Sequence, residues 1–196
     1  MSATVAQRTN ELARRGFTLV ELLVVLVLLA VLFTLAAPNF LTFRRNAELT
    51  SAANSFVASL STARAEAMKR QLRAFVVPTT GNDWATGWRV FVDVDSNVTA
   101  SSVVPSGSDI IVVEQAALPT GVSGISVVSS TLGDGTTAYV MFNGSGFMTK
   151  VDKTFADMSI ELSNGIEGRR VIVNPNGRLR VCKPPPADTT CTESAL

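Results

Sequence analysis

Histidine is absent from all 196 residues, which removes the usual general base, the usual triad partner and the commonest metal ligand. No Gly-rich phosphate loop of either standard spacing is present. The chain is therefore not expected to be an enzyme, and no cofactor or metal is expected. Cysteine is nearly absent too: Cys182 and Cys191 are the two copies, close together near the C-terminus. That spacing reads as one short disulfide loop in an oxidising compartment, with two lone buried thiols as the alternative. Charge is missing from residues 22–43, LLVVLVLLAVLFTLAAPNFLTF. At roughly 1.5 Å per residue that run reaches across a hydrocarbon core about 30 Å thick. It is too long for the apolar region of a secretory signal, about 7 to 15 residues, and lacks the small-residue cleavage site after it. A membrane span is expected. Arg8, Arg14 and Arg15 precede it and Arg44 and Arg45 follow it, which favours a cytoplasmic N-terminus only weakly.

Just inside this run stands a carboxylate, Glu21, in RRGFTLVELLVV. An ionised acid in hydrocarbon costs roughly 2.5 to 3.5 kcal/mol even on lenient insertion scales, so Glu21 requires a partner. The uncut sequence offers none that is obvious.

Helical periodicity continues past the apolar run. Leu49, Ala53, Phe56, Leu60, Ala63 and Ala67 recur at alternating steps of four and three, giving one apolar stripe on an otherwise polar surface. The pattern predicts one helix over residues 17–71, roughly 80 Å long at 1.5 Å per residue. It is apolar all round in its first half and amphipathic in its second, with a kink or local melt at Pro38. After Arg73, short β-branched runs follow: AFVVP, WRVFVD, DIIVVEQ, ISVVSS, AYVMFN, MSIEL, RRVIVN and RLRVC. Gly, Asn, Asp and Ser clusters divide them, so a β domain is expected. VTASSVVPSGSD reads as an exposed loop, and the prolines of KPPPADTTCTESAL exclude regular structure from the tail. DVDSN, residues 93–97, resembles the opening of a calcium loop, but Val98 stands where the turn needs Gly and Val104 where a bidentate Glu is needed. A turn after a strand is the better reading. Trp84 and Trp88 read as core or turn packing rather than a stacking platform.

The net charge of +1 hides a segregation: residues 74–168 hold three basic residues against ten acidic ones, whereas residues 169–183 hold five basic residues and no acid. Those five are Arg169, Arg170, Arg178, Arg180 and Lys183. Within GRRVIVNPNGRLRVC, NPNG is a hairpin turn signal, with Pro175 presetting its backbone angle and Asn176 and Gly177 tolerating left-handed conformations. Alternation then turns Leu179 and Val181 to the core and puts Arg178 and Arg180 on the other face, roughly 7 Å apart. Such a pair suits neighbouring phosphates of a nucleic acid without base reading. If most of the five engaged, affinity for double-stranded DNA would fall with salt at a slope of about −3 to −4. A solvated strand edge is the competing reading.

The segment RRGFTLVELL resembles the class III signal of type IV pilins and type II secretion pseudopilins. The resemblance implies a leader of residues 1–16 ending in Gly16, cleavage there by a prepilin peptidase, and methylation of the new amine of Phe17. It also implies the missing partner: the Glu21 carboxylate pairs with that amine, within a subunit or across to a neighbour in the filament. LTSAANSFVASLSTARAEAMKR leading into WATGWRVFVDVDSN is similar to the GspH/FimT group. GRLR, Gly177 to Arg180, matches the Gly-Arg-x-Arg signature of DNA-binding FimT-like minor pilins. The expected fold is α+β and type IV pilin-like. Its parts are a leader (1–16), a transmembrane half-helix (17–43), an amphipathic half-helix (44–72) packed on an antiparallel β domain (73–183), and a tail with the disulfide loop (184–196). The implied function is that of a minor pilin that binds double-stranded DNA through Arg178, Arg180, Arg169, Arg170, Lys183 and Gly177 in natural transformation. The alternative is a structural minor pilin or pseudopilin that primes filament assembly without binding DNA. Implied partners are other pilin subunits, the peptidase and the inner membrane. Implied locations are inner membrane and periplasm, then the filament.

Overall fold

The computed structural model describes residues 17–118, 125–127 and 137–191, with side chains at all of these except 34–39 and 125–127. The leader, Gly16 included, lies outside the described residues.

One helix, α1 (Leu19–Arg70), is assigned without a break through Pro38, so no local melt occurs there. Thr18 caps its start: Thr18 Oγ1 accepts from the Glu21 N–H at 3.2 Å, in the spacing of a capping box. The end is set by Gln71, whose left-handed φ of 59° lets the Leu72 N–H reach back to the Ala67 carbonyl at 3.2 Å. The chain divides into two compact units, 1–42 and 43–196. In the first, every described side chain from 17 to 33 is exposed. Among the described residues no helix is long and apolar enough to cross a membrane. The apolar run of the sequence includes 34–39, whose side chains are not among those described.

Among the described residues the second unit holds the rest of α1 and eight strands: β1 (Arg73–Thr80), β2 (Asp83–Asp93), β3 (Ile110–Gln115), β4 (Ile125–Val127), β5 (Val140–Phe142), β6 (Met158–Ser163), β7 (Gly168–Val173) and β8 (Leu179–Cys182). Each falls within one of the eight apolar runs or overlaps it. The sequence does not reveal that they form two sheets, ordered β3-β2-β1-β5 and β4-β6-β7-β8. The described pairings are antiparallel.

The predicted helical stripe is the centre of the core. Leu49, Ala53, Phe56, Leu60, Ala63 and Ala67 are all buried, in one cluster with Ala74, Val76, Val90 and Val92 of the first sheet and Met158, Ile160, Leu162, Val171 and Val173 of the second. Trp84 and Trp88 are core residues, as their setting implied. Both meet Phe56 edge-on, at centroid distances of 5.4 and 5.0 Å, and Trp88 Nε1 donates to Ser59 Oγ at 2.8 Å. Burying the indole N–H therefore leaves no lost bond at Trp88.

The first sheet is buried on its other face too. Phe75, Val77, Phe91, Tyr139 and Met141 form a second cluster there, closed by Val98 and Val103. Residues 98–109 are the exposed loop expected from their composition, except that two of its valines, Val98 and Val103, are buried against the sheet. Alternation along β1 and β2 thus sends successive side chains into two different cores.

Candidate nucleic-acid interface

Between β7 and β8 the NPNG turn forms as its residues dictate. The Gly177 N–H donates to the Asn174 carbonyl at 2.8 Å, and the Asn174 N–H to the Arg178 carbonyl at 3.0 Å. Gly177 has φ +75°, while Asn176 is not left-handed. This is a turn followed by one left-handed residue, a standard short hairpin. Gly177 is required for a second reason. A Cβ there would sit 2.3 Å from the Gly146 carbonyl oxygen and 2.6 Å from Arg64 Nε.

Arg64, on α1, is the residue that the sequence reading missed. Its Nε donates to the Gly146 carbonyl at 3.0 Å and its Nη2 to the Asn176 carbonyl at 2.9 Å. One guanidinium thus ties the helix to two loops, and the Met148 N–H ties those loops together by donating to Pro175 O at 2.9 Å. The only trace of this in the sequence is the lone glycine of the turn, which gives no hint of its partner on the helix.

The five expected cations do not form one open patch. Arg170 is buried: Nη2 donates to Glu161 Oε2 at 2.9 Å and Nη1 to the Cys191 carbonyl at 2.7 Å. Its place is under the disulfide loop, not on the surface. Arg169 Nη1 lies 3.1 Å from Glu167 Oε2, and Lys183 Nζ 3.4 Å from that same oxygen. Arg169 thus holds the Glu167 carboxyl below its usual range, and Lys183 adds to the effect. Arg180 is exposed, donating to Thr190 Oγ1 at 3.0 Å with Asp188 Oδ2 at 3.8 Å. Asp188 titrates below its usual range, mainly because Thr190 donates to it and secondarily because Arg180 is near. Arg178 is exposed, and among the described residues its side chain has no partner. It borders a shallow hollow with Arg64, Asn176 and Ser61. Glu161, Glu167 and Asp188 lie outside the 169–183 window, which is why the charge balance overstated the patch.

Strand alternation also fails in part. Leu179 packs against the core as expected, but Val181 is 40% exposed. β8 is the last strand of its sheet. Beyond it, Cys182 and Cys191 are bonded, with Cα atoms 5.8 Å apart. The thiol alternative is excluded. At the other end of the chain, Phe17 and Glu21 are both exposed.

Residues 52–177 match the family described as type II transport protein GspH, nearly two thirds of the chain. The chain belongs to the GspH family. Residues 12–37 of this GspH-family protein match the prokaryotic N-terminal methylation motif. The fold is similar to that of the type IV minor pilin FimU of Pseudomonas aeruginosa, with TM-scores of 0.51 and 0.50 against two crystal forms. The identities are 18% and 19%, covering 73% and 70% of this chain and 97% and 98% of that one. The α+β, type IV pilin-like fold expected from the sequence is therefore the observed one. In sequence, 86 residues are 41% identical to the pilin-like protein PilA1 of Thermus thermophilus, covering 44% of this chain. The match spans about half of that relative, 53% of its length.

Proposed function

We propose that this GspH-family protein is a minor pilin of the FimT type, anchored in the inner membrane by residues 17–43 before assembly, which binds DNA phosphates through the β7–β8 hairpin. The observation that carries the reading is the turn itself. It projects Arg178, unpartnered among the described residues, from a backbone clamped by Arg64, with Arg180 two residues on. Guanidinium groups presented on fixed backbone suit phosphate oxygens and carry no base readout. With Arg170 buried and Arg169 and Lys183 both held by Glu167, two or three cations engage. The salt slope is then about −2 rather than −3 to −4.

The pairing of four of the five cations inside the fold favours a second reading, in which the protein primes filament growth and binds no DNA. Fluorescence anisotropy of a DNA duplex against the full chain in detergent, across a salt series, separates the two. Arg178→Ala is expected to weaken binding and flatten the slope by about one unit, and Lys150→Ala to do neither. Absence of binding at low salt, or equal behaviour of the two variants, would leave the assembly reading in place.

A further inference from the structure

At the far end of β2 the chain turns outward through residues 94–109 before β3 begins, and this loop returns a carboxylate to the strand it left. Asp93, Asp95 and Asp109 each offer an oxygen within 4.8 Å of the other two. Asp93 is 1% exposed, and its Oδ1 is buried with no hydrogen-bond partner, while its other oxygen is held by Arg73. A buried carboxylate oxygen left without a donor is costly, and it demands a positive group. Arg73 bonds Oδ2 and, at 3.4 Å, the Val98 carbonyl, both through Nη2, and it makes no bond to Oδ1. Three carboxylates stand here, and among the described residues Arg73 is the one cation bonded to any of them.

We propose that these three aspartates bind a calcium ion. Oxygens around calcium lie 2.3–2.6 Å from it, so two ligands of one ion can be about 5 Å apart. Around magnesium, at 2.0–2.1 Å, they are no more than about 4.2 Å apart and need near-ideal octahedral placement. The three oxygens lie within 4.8 Å of one another, inside the span that calcium allows, and a site built on an exposed loop suits the ion that tolerates irregular placement. The loop is already braced for it. Asp109 Oδ1 accepts from the Val94 N–H and Oδ2 from the Ser106 N–H, both at 3.0 Å, and Asp95 Oδ1 accepts from the Asn97 N–H at 3.3 Å. Each oxygen so engaged keeps a lone pair for a cation. Asp95 is exposed, so the site opens to solvent and water completes the coordination. This is not the twelve-residue loop that DVDSN resembles, since the third carboxylate comes from Asp109, beyond that loop's last position. An exposed site with three ligands belongs to the weak range of extracellular modules, about 10⁻⁴ to 10⁻³ M.

Equilibrium dialysis of the full chain in detergent, stripped with chelator and then titrated with calcium chloride alone or magnesium chloride alone, tests this directly. Saturable uptake of one calcium per chain is expected, weakened at least about tenfold by Asp95→Asn and unaffected by Asp152→Asn. Asp95 is at the surface, so its loss does not threaten folding. No saturable uptake by several millimolar calcium, uptake that Asp95→Asn leaves unchanged, or magnesium bound as tightly as calcium would each overturn the proposal.

Discussion

Gly177 shows how much one position can carry. Its φ of +75° favours glycine over any residue with a Cβ, and that Cβ would meet the Gly146 carbonyl and the Arg64 guanidinium. Gly81 provides the comparison, with φ +54° and nothing within 4 Å of where a Cβ would stand. Alanine at Gly81 is expected to cost about 1 kcal/mol for backbone strain alone, and at Gly177 about 2 to 4 kcal/mol, because the Arg64 clamp must open as well. Urea unfolding of both variants in detergent measures the difference, and equal costs would show that the clamp contributes nothing. The need for glycine in this turn was legible from NPNG. The need for close approach was not, because Arg64 lies 112 residues from Asn176 and nothing local marks it.

The hairpin, the disulfide loop and the Glu167 turn act together as elements. Closing a loop of about ten residues is worth roughly 2 to 3 kcal/mol in the chain-entropy model, and here it also buries Arg170 against the Cys191 carbonyl. The bond between the cysteines was readable from their spacing, whereas the capture of Arg170 was not, because it depends on which face of β7 the loop covers. The same limit applies to the exposed-loop reading of residues 98–109: composition reported the serines, and the fold used Val98 and Val103. Glu167 yields a prediction on this scale. It holds Arg169 and Lys183 at one oxygen, so Glu167→Gln should release both and steepen the DNA salt slope by about one to two units. Acid should act alike. The folded pKa of Glu167 lies below 4.5, so its contribution to stability is fully present above that value and is lost as pH falls through the lower, folded pKa. Wild-type DNA affinity should accordingly rise toward that of Glu167→Gln only below about pH 4.5. An unchanged slope in the variant would mean that Arg169 and Lys183 do not reach the DNA.

For the whole molecule, the alternating helical stripe and the β-branched runs were sufficient for the α+β plan, because the stripe and the runs of β1, β2, β5, β6 and β7 recorded burials that the helix and those strands make. The division into two sheets left no such record, since pairing partners are far apart in sequence. The N-terminus raises a different question, because two roles compete for Glu21. Its backbone N–H donates to the Thr18 hydroxyl at the spacing where a Glu or Gln side chain can bond back to the cap, and the methylation motif at residues 12–37 supports its pairing with the amine of a cleaved Phe17. Cleavage itself predicts a mature chain that begins at N-methylated Phe17, with Gly16→Glu remaining uncut, as intact mass would show. Glutamine at position 21 then separates the roles. A capping box accepts Gln in place of Glu, so Glu21→Gln keeps the cap and the helix start while removing the charge. Insertion into membranes should be as good or better, because a costly ionised group is gone. If the charge exists to meet the Phe17 amine, Glu21→Gln should nevertheless be missing from sheared filaments, as should Glu21→Ala. Recovery of Glu21→Gln in filaments at the wild-type level, with Glu21→Ala excluded, would assign Glu21 to the cap and remove the need for an ion pair.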